Sequence, residues 1–164
     1  MMENGQQDSV KQRQENLDAM LDEYETKCGL PAFTVAEDEA QRVLTISPAQ
    51  LKSMTAVECG EAAVTLKQFA FYLQRCSNRE QGRVKWAEES IKRLIAPSVG
   101  NVRGYSLEER RPLAVLNDDV AKKFDELRVK ADLRVTRLNY LASKVESMAM
   151  SLMSLQQSKR GHRD

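Results

Sequence analysis

Tyr72, Arg75, Arg79, Arg83, Trp86 and Arg93 recur through one long stretch at spacings of three, four and seven, with no acidic residue interleaved on their face. At 100° per residue they fall within roughly ±40° of one direction, about 90° around from the apolar stripe of the same helix. Guanidiniums neutralise phosphates and aromatic rings stack on unpaired bases, so such a face suits a single-stranded nucleic-acid backbone. It equally suits a salt-bridged structural face, with Arg75, Arg79 and Arg83 serving Asp118, Asp119, Asp125 and Glu126 across a helical pair. Trp86 lies roughly 110° from the centre of the apolar stripe, out of easy reach of a partner arm, and must meet a third element or a ligand.

A second basic cluster follows the long stretch: Lys92, Arg93, Arg103, Arg110 and Arg111, with Tyr105 among them. Clusters around a loop suit phosphate. Glu88, Glu89, Glu108 and Glu109 share the span, however, and arginine near a helix start is often only solvated.

Catalytic sets are missing. There is no Ser–His–acid arrangement, no paired buried carboxylates and no glycine-rich phosphate loop, and the one histidine, His162, sits in the last few residues. The expectation is a protein that is not an enzyme and needs no cofactor. Cys28, Cys59 and Cys76 form no CxxC pair, which argues against a zinc site and fits a reducing compartment. Met148, Met150 and Met153 fall at helical spacing in an aliphatic seam and read as core. No apolar run approaches the ~18–20 residues of a membrane span, and the opening MMENGQQDSV is polar, so a cytoplasmic location is expected.

Helices must position these residues. With 164 residues, 41% hydrophobic and 5% aromatic, and with four prolines, the chain reads as all-α and held by aliphatic seams. Residues 1–10 look disordered. Leu17, Met20 or Leu21, Tyr24 and Cys28 then mark a short amphipathic helix stopped by Gly29 and Pro31. Thr34 and Glu37 make a capping box for a second short helix at about 35–42, and Val43–Ile46 reads as extended or a strand stub. Ser47-Pro48-Ala49-Gln50 opens a further turn or two, and Thr55 with Glu58 starts a helix running from about 56 to Ala96, where Pro97, Gly100 and Gly104 end it.

The apolar stripe of that helix is Ala62, Leu66, Phe69, Leu73, Cys76, Ala87 and Leu94. After a loop at about 97–105, Ser106 and Glu109 cap the next helix, and Pro112 calls for a kink or restart near Leu113. From there a heptad seam reads Leu113, Leu116, Val120, Phe124, Leu127, Ala131, Arg134, Leu138, Leu141, Val145, Met148, Leu152 and Leu155, with Arg134 as a register-setting interruption. Two helices of about 40 residues joined by a short loop predict a long antiparallel, coiled-coil-like hairpin over residues 47–160. Folding about that loop places Arg83 near Asp119 and Glu80 near Lys122 or Lys123. Phe71, Ile91 and Ile95 on the first arm, and Val129, Leu133 and Tyr140 on the second, are left for further helices or other subunits, so a homo-oligomer is expected.

Charge divides the chain as well. Residues 1–46 hold 10 acidic and 4 basic side chains, against 14 acidic and 21 basic over 47–164. The expected domains are an acidic N-terminal arm at 1–46 with one or two short helices, the hairpin at 47–160, and a disordered tail at 161–164. The arm reads as a shield for the basic surface, a docking element or a solvated tail.

Over about residues 46–160 this order resembles the UvsY-type recombination mediators of T-even-like bacteriophages. The shared run begins Gly60-Glu61-Ala62-Ala63, passes Phe71-Tyr72-Leu73 and Asn78, and continues through Arg83 to Lys92-Arg93; the ending Leu152–Arg160 is also similar. Leu94-Ile95-Ala96-Pro97 stands where the family has a tyrosine-rich turn. The resemblance implies a ring-like oligomer that binds single-stranded DNA, with Lys92 and Arg93 matching the family's basic cluster. It also implies a role in DNA recombination and repair, loading a RecA-like recombinase onto strands covered by single-strand binding protein. The alternative from the residues alone is a structural or scaffolding helical-hairpin phage protein whose basic strip contacts an acidic protein.

Overall fold

The computed structural model describes residues 3–28 and 37–161. The expected stop at Gly29 and Pro31, the Thr34 half of its capping box, and His162 with the residues after it lie outside that range. Among the described residues the chain is all-α: α1 (Glu3–Lys27), α2 (Glu37–Leu44), α3 (Pro48–Ser53), α4 (Ala56–Ile95), α5 (Leu107–Leu116) and α6 (Asp119–Arg160). A 3-10 turn occupies Val99–Asn101.

Local chemistry sets most of the boundaries. Ser47 accepts from the Gln50 amide while its own amide donates to Gln50 Oε1 at 2.8 Å, and Pro48 fills the first position of α3. Thr55 and Glu58 repeat the reciprocal pair at the start of α4, with the Thr55 amide donating to Glu58 Oε2 at 2.6 Å. That bond holds the Glu58 carboxyl below its usual range. Two expectations for the first two helices change. α1 begins at Glu3, inside the stretch read as disordered; its run of glutamines tolerates helix, and Val10 is buried as an apolar anchor. Val43 and Leu44 close α2 instead of forming a strand stub, and the Thr45 hydroxyl donates back to the Gln41 carbonyl at 2.9 Å.

The helices gather into two compact units. One contains α2, α3, α4 as far as Asn78 and α6 from Thr136. Its core sets Ala62, Ala63, Leu66 and Leu73 of α4 against Ala142, Val145, Ala149 and Leu152 of α6. Alanines on both sides let the helices approach closely. The Ser77 hydroxyl donates to Asn139 Oδ1 at 2.7 Å, and Gly60 packs on the Gln156 side chain, so the two helices run antiparallel here. Lys159 Nζ donates to the carbonyls of Leu51 (3.0 Å), Lys52 (3.1 Å) and Met54, placing a cation at the carboxyl end of α3.

The other unit contains α1, α4 from Arg79, α5, and α6 as far as Val135. Ala87, Ile91 and Ile95 of α4 meet Ala114 of α5 and Ala121 and Phe124 of α6, with Val10 of α1 joining the cluster. Phe124 is fully buried. Its replacement by alanine costs about 3–5 kcal/mol.

Here the expected register fails. Glu80 meets Arg134 Nε at 3.0 Å, about three helical turns beyond Lys122 and Lys123. Arg83 does not meet Asp119, which instead bonds Lys122 at 2.8 Å. The cause is the second arm's true start. α5 runs through Pro112 to Leu116, and Asp118 Oδ1 then caps a new helix, accepting from the amides of Val120 and Ala121 at 2.9 Å each. Leu113 and Leu116 therefore leave the seam and are exposed, while α5 covers Ile91 and Ile95, which the sequence left spare.

Candidate nucleic-acid interface

Within the unit built on α1, α1 and α4 pack with opposite sense, because Asp18 meets Arg83 while Asp22 meets Arg79. Asp18, Asp22 and Glu25 recur at four and three residues, so one helical face carries all three. Arg83 donates from Nε to Asp18 Oδ1 at 3.1 Å, and from Nη2 to Oδ1 and Oδ2 at 2.8 and 2.9 Å. Its Nη1 bonds Glu80. Partial burial alone would depress the guanidinium's pKa, but the Asp18 and Glu80 carboxylates outweigh it and raise the value. Arg79 Nη1 lies 2.8 Å from Asp22 and 3.7 Å from Glu25. Glu80, with a side chain only 10% exposed, thus joins Arg83 and Arg134. These arginines clasp helices together.

Further along α4 the neighbours change. Trp86 turns an edge to Phe124 on α6, ring centroids 5.2 Å apart at 70°. The partner arm therefore does reach Trp86, contrary to the helical-wheel estimate, because the large Phe124 ring projects across the seam. Trp86 also borders a cleft of about 480 Å³ between α1 and α4, where Leu17, Met20 and Leu94 give apolar walls and Arg13 and Arg93 supply exposed cations. Asn16 and Ser90 add polar edges. An aromatic ring beside two guanidiniums can stack a planar heterocycle and neutralise the anionic groups attached to it.

The remaining candidates scatter. Arg75 is half-buried and Tyr72 stacks on Phe69 at 6.3 Å and 20°, both in the other unit. Lys92 bonds Glu89 at 2.6 Å, with both side chains more than half exposed. Arg110 turns inward, its Nε donating to the Gly104 carbonyl at 2.7 Å. Arg103 is exposed, and Arg111 borders a separate groove of about 590 Å³ with Ile91, Pro112 and Leu116. Sequence reasoning missed Arg13, which no periodicity on α4 could reveal.

Among the described residues no cluster of histidine, cysteine and carboxylate could hold a metal, and no helix is long and apolar enough to cross a membrane. No family model, curated protein or solved structure matches the chain.

Proposed function

We propose that this protein binds single-stranded DNA without catalysing a reaction on it. The cleft that gathers Trp86, Arg13 and Arg93 carries the reading, because it joins a stacking surface to two exposed guanidiniums on two packed helices. The role in which it acts is that of a recombination mediator, assembled as a homo-oligomer in the host cytoplasm. It helps a RecA-like recombinase onto strands covered by single-strand binding protein. Support for that role is the resemblance of the Gly60–Arg93 run to UvsY-type proteins.

A second reading, a scaffolding helical-hairpin phage protein, is favoured by Val57, Val64 and Phe71. These lie exposed at seven-residue spacing on α4, as a helix-binding seam would require. Trp86 is the sole tryptophan, so its emission separates the two. Titration with oligothymidylate at 50 and 200 mM salt quenches it if the cleft stacks a base, with affinity falling steeply at the higher salt. Oligomerisation with emission indifferent to the oligonucleotide rejects the single-strand reading and leaves the scaffold.

A further inference from the structure

On the flank of α1 away from the Trp86 cleft lies a groove of about 450 Å³ between α1 and α6. Lys11 of α1 and Lys123, Lys130 and Arg134 of α6 line it, with Glu126 as the carboxylate in the lining itself. Sequence places Lys11 more than a hundred residues from the others, so folding alone assembles the patch. Along α6 the three cations follow at seven and four residues, rises of about 10 and 6 Å on one side of the helix. Arg134 is held in place by its Nε bond to Glu80, and a guanidinium anchored at Nε retains further donors. Lys11 stands 4.0 Å from Glu15, both more than half exposed, a pair too solvated to hold the ammonium.

We propose that this groove is a second seat for the phosphodiester backbone of a single strand, an inference that rests on the single-strand reading above. Ammonium groups spread along a helix act as point charges on a flexible polyanion, neutralising it without reading sequence. The groove floor, Val10 and Leu127, is too small to stack several bases, so the backbone is the part it takes. The two seats lie on opposite flanks of α1, a helix about 10 Å across. A strand engaging both passes over it.

The test uses the full chain carrying Lys123→Gln with Lys130→Gln, which removes two charges at positions that are not buried and keeps good helix formers. Oligothymidylate affinity is measured from 50 to 300 mM salt. The slope of log K against log salt falls by about 1.4, and affinity at 0.2 M salt falls about tenfold, because each lost phosphate contact removes about 0.7 from the slope. Quenching of Trp86 at saturation stays as in the native chain. A control pair in the other unit, Lys67→Gln with Lys144→Gln, removes the same charge and leaves the slope near the native value. Equal loss in both pairs, or no loss in the groove pair while Arg93→Ala weakens binding, overturns the groove and leaves the single-strand reading standing. Loss of polyglutamate binding without loss of oligonucleotide binding assigns the groove to an acidic protein and likewise overturns it. If the native chain binds no oligothymidylate at all, the single-strand reading fails first.

Discussion

Two stretches of α4 a few turns apart carry the same residue types and meet opposite surroundings. At Arg79 and Arg83 the carboxyl-terminal half of α1 presents Asp18, Asp22 and Glu25, and the guanidiniums are tied up in ion pairs. At Trp86 and Arg93 the middle of the same helix presents Arg13, Asn16, Leu17 and Met20, and a cleft stays open. Most of the difference lies in α1, with Glu80 of α4 adding to the pairing at Arg83. A basic face is a clasp or a binding surface according to the charge of whatever packs beside it, and the uneven charge along α1 makes it one of each.

Substitutions can break this contrast. Arg79→Ala with Arg83→Ala should be the most damaging to folding, costing about 2–3 kcal/mol in urea denaturation, because it leaves partly buried carboxylates of Glu80 and Asp18 short of partners. Arg13→Ala with Arg93→Ala, at exposed positions, should change stability by no more than about 0.5 kcal/mol. Similar losses in the two pairs would erase the distinction between clasp and cleft.

A smaller effect comes from Asp18→Asn with Asp22→Asn, which keeps the shape of α1 and removes two of the four carboxylates facing Arg79 and Arg83, leaving Glu25 and Glu80. About 1–2 kcal/mol of stability is lost. On the single-strand reading, the partly released guanidiniums steepen the salt dependence of oligothymidylate binding by up to about 1.4. An unchanged slope would mean that neutralising α1 does not turn the clasp into a binding surface.

The smallest effect lies in the other unit, at the start of α4. The Thr55 amide lowers the Glu58 pKa, so the folded state favours the ionised carboxyl. Its contribution is complete above the unfolded-state pKa and is lost as pH falls through the lower folded-state value. Thermal melts taken from neutral pH downward should separate the native chain from Glu58→Gln at neutral pH and narrow the gap as the pH falls below the usual carboxylate range. A constant gap would remove the cap from the account.

Much of this was legible in the residues. Thr55 with Glu58 at one end and Pro97 past the other bounded α4 to within a residue, since capping and chain-breaking act locally. The break before α6 was hidden because Leu116 and Val120 stand four apart, so apolar phase continues across Asn117 and Asp118 as if the helix did. Only Asp118 as a cap could have revealed it, and missing it displaced the register of the second arm. The face of Trp86 and Arg93 was visible from periodicity, and the acidic excess of residues 1–46 from composition. Which stretch of α1 meets which stretch of α4 was not visible, because periodicity on one helix carries no information about its alignment with another. Arg13, Lys11 and Lys123 gain their meaning only from that alignment.

The most direct test sets the two arginine pairs side by side and follows Trp86 emission while oligothymidylate is added, below the melting temperature of every variant. The chain with Arg79→Ala and Arg83→Ala should quench like the native protein, whereas Arg13→Ala with Arg93→Ala should need about tenfold more oligonucleotide at 0.2 M salt. Quenching lost in the first pair and kept in the second would contradict the account.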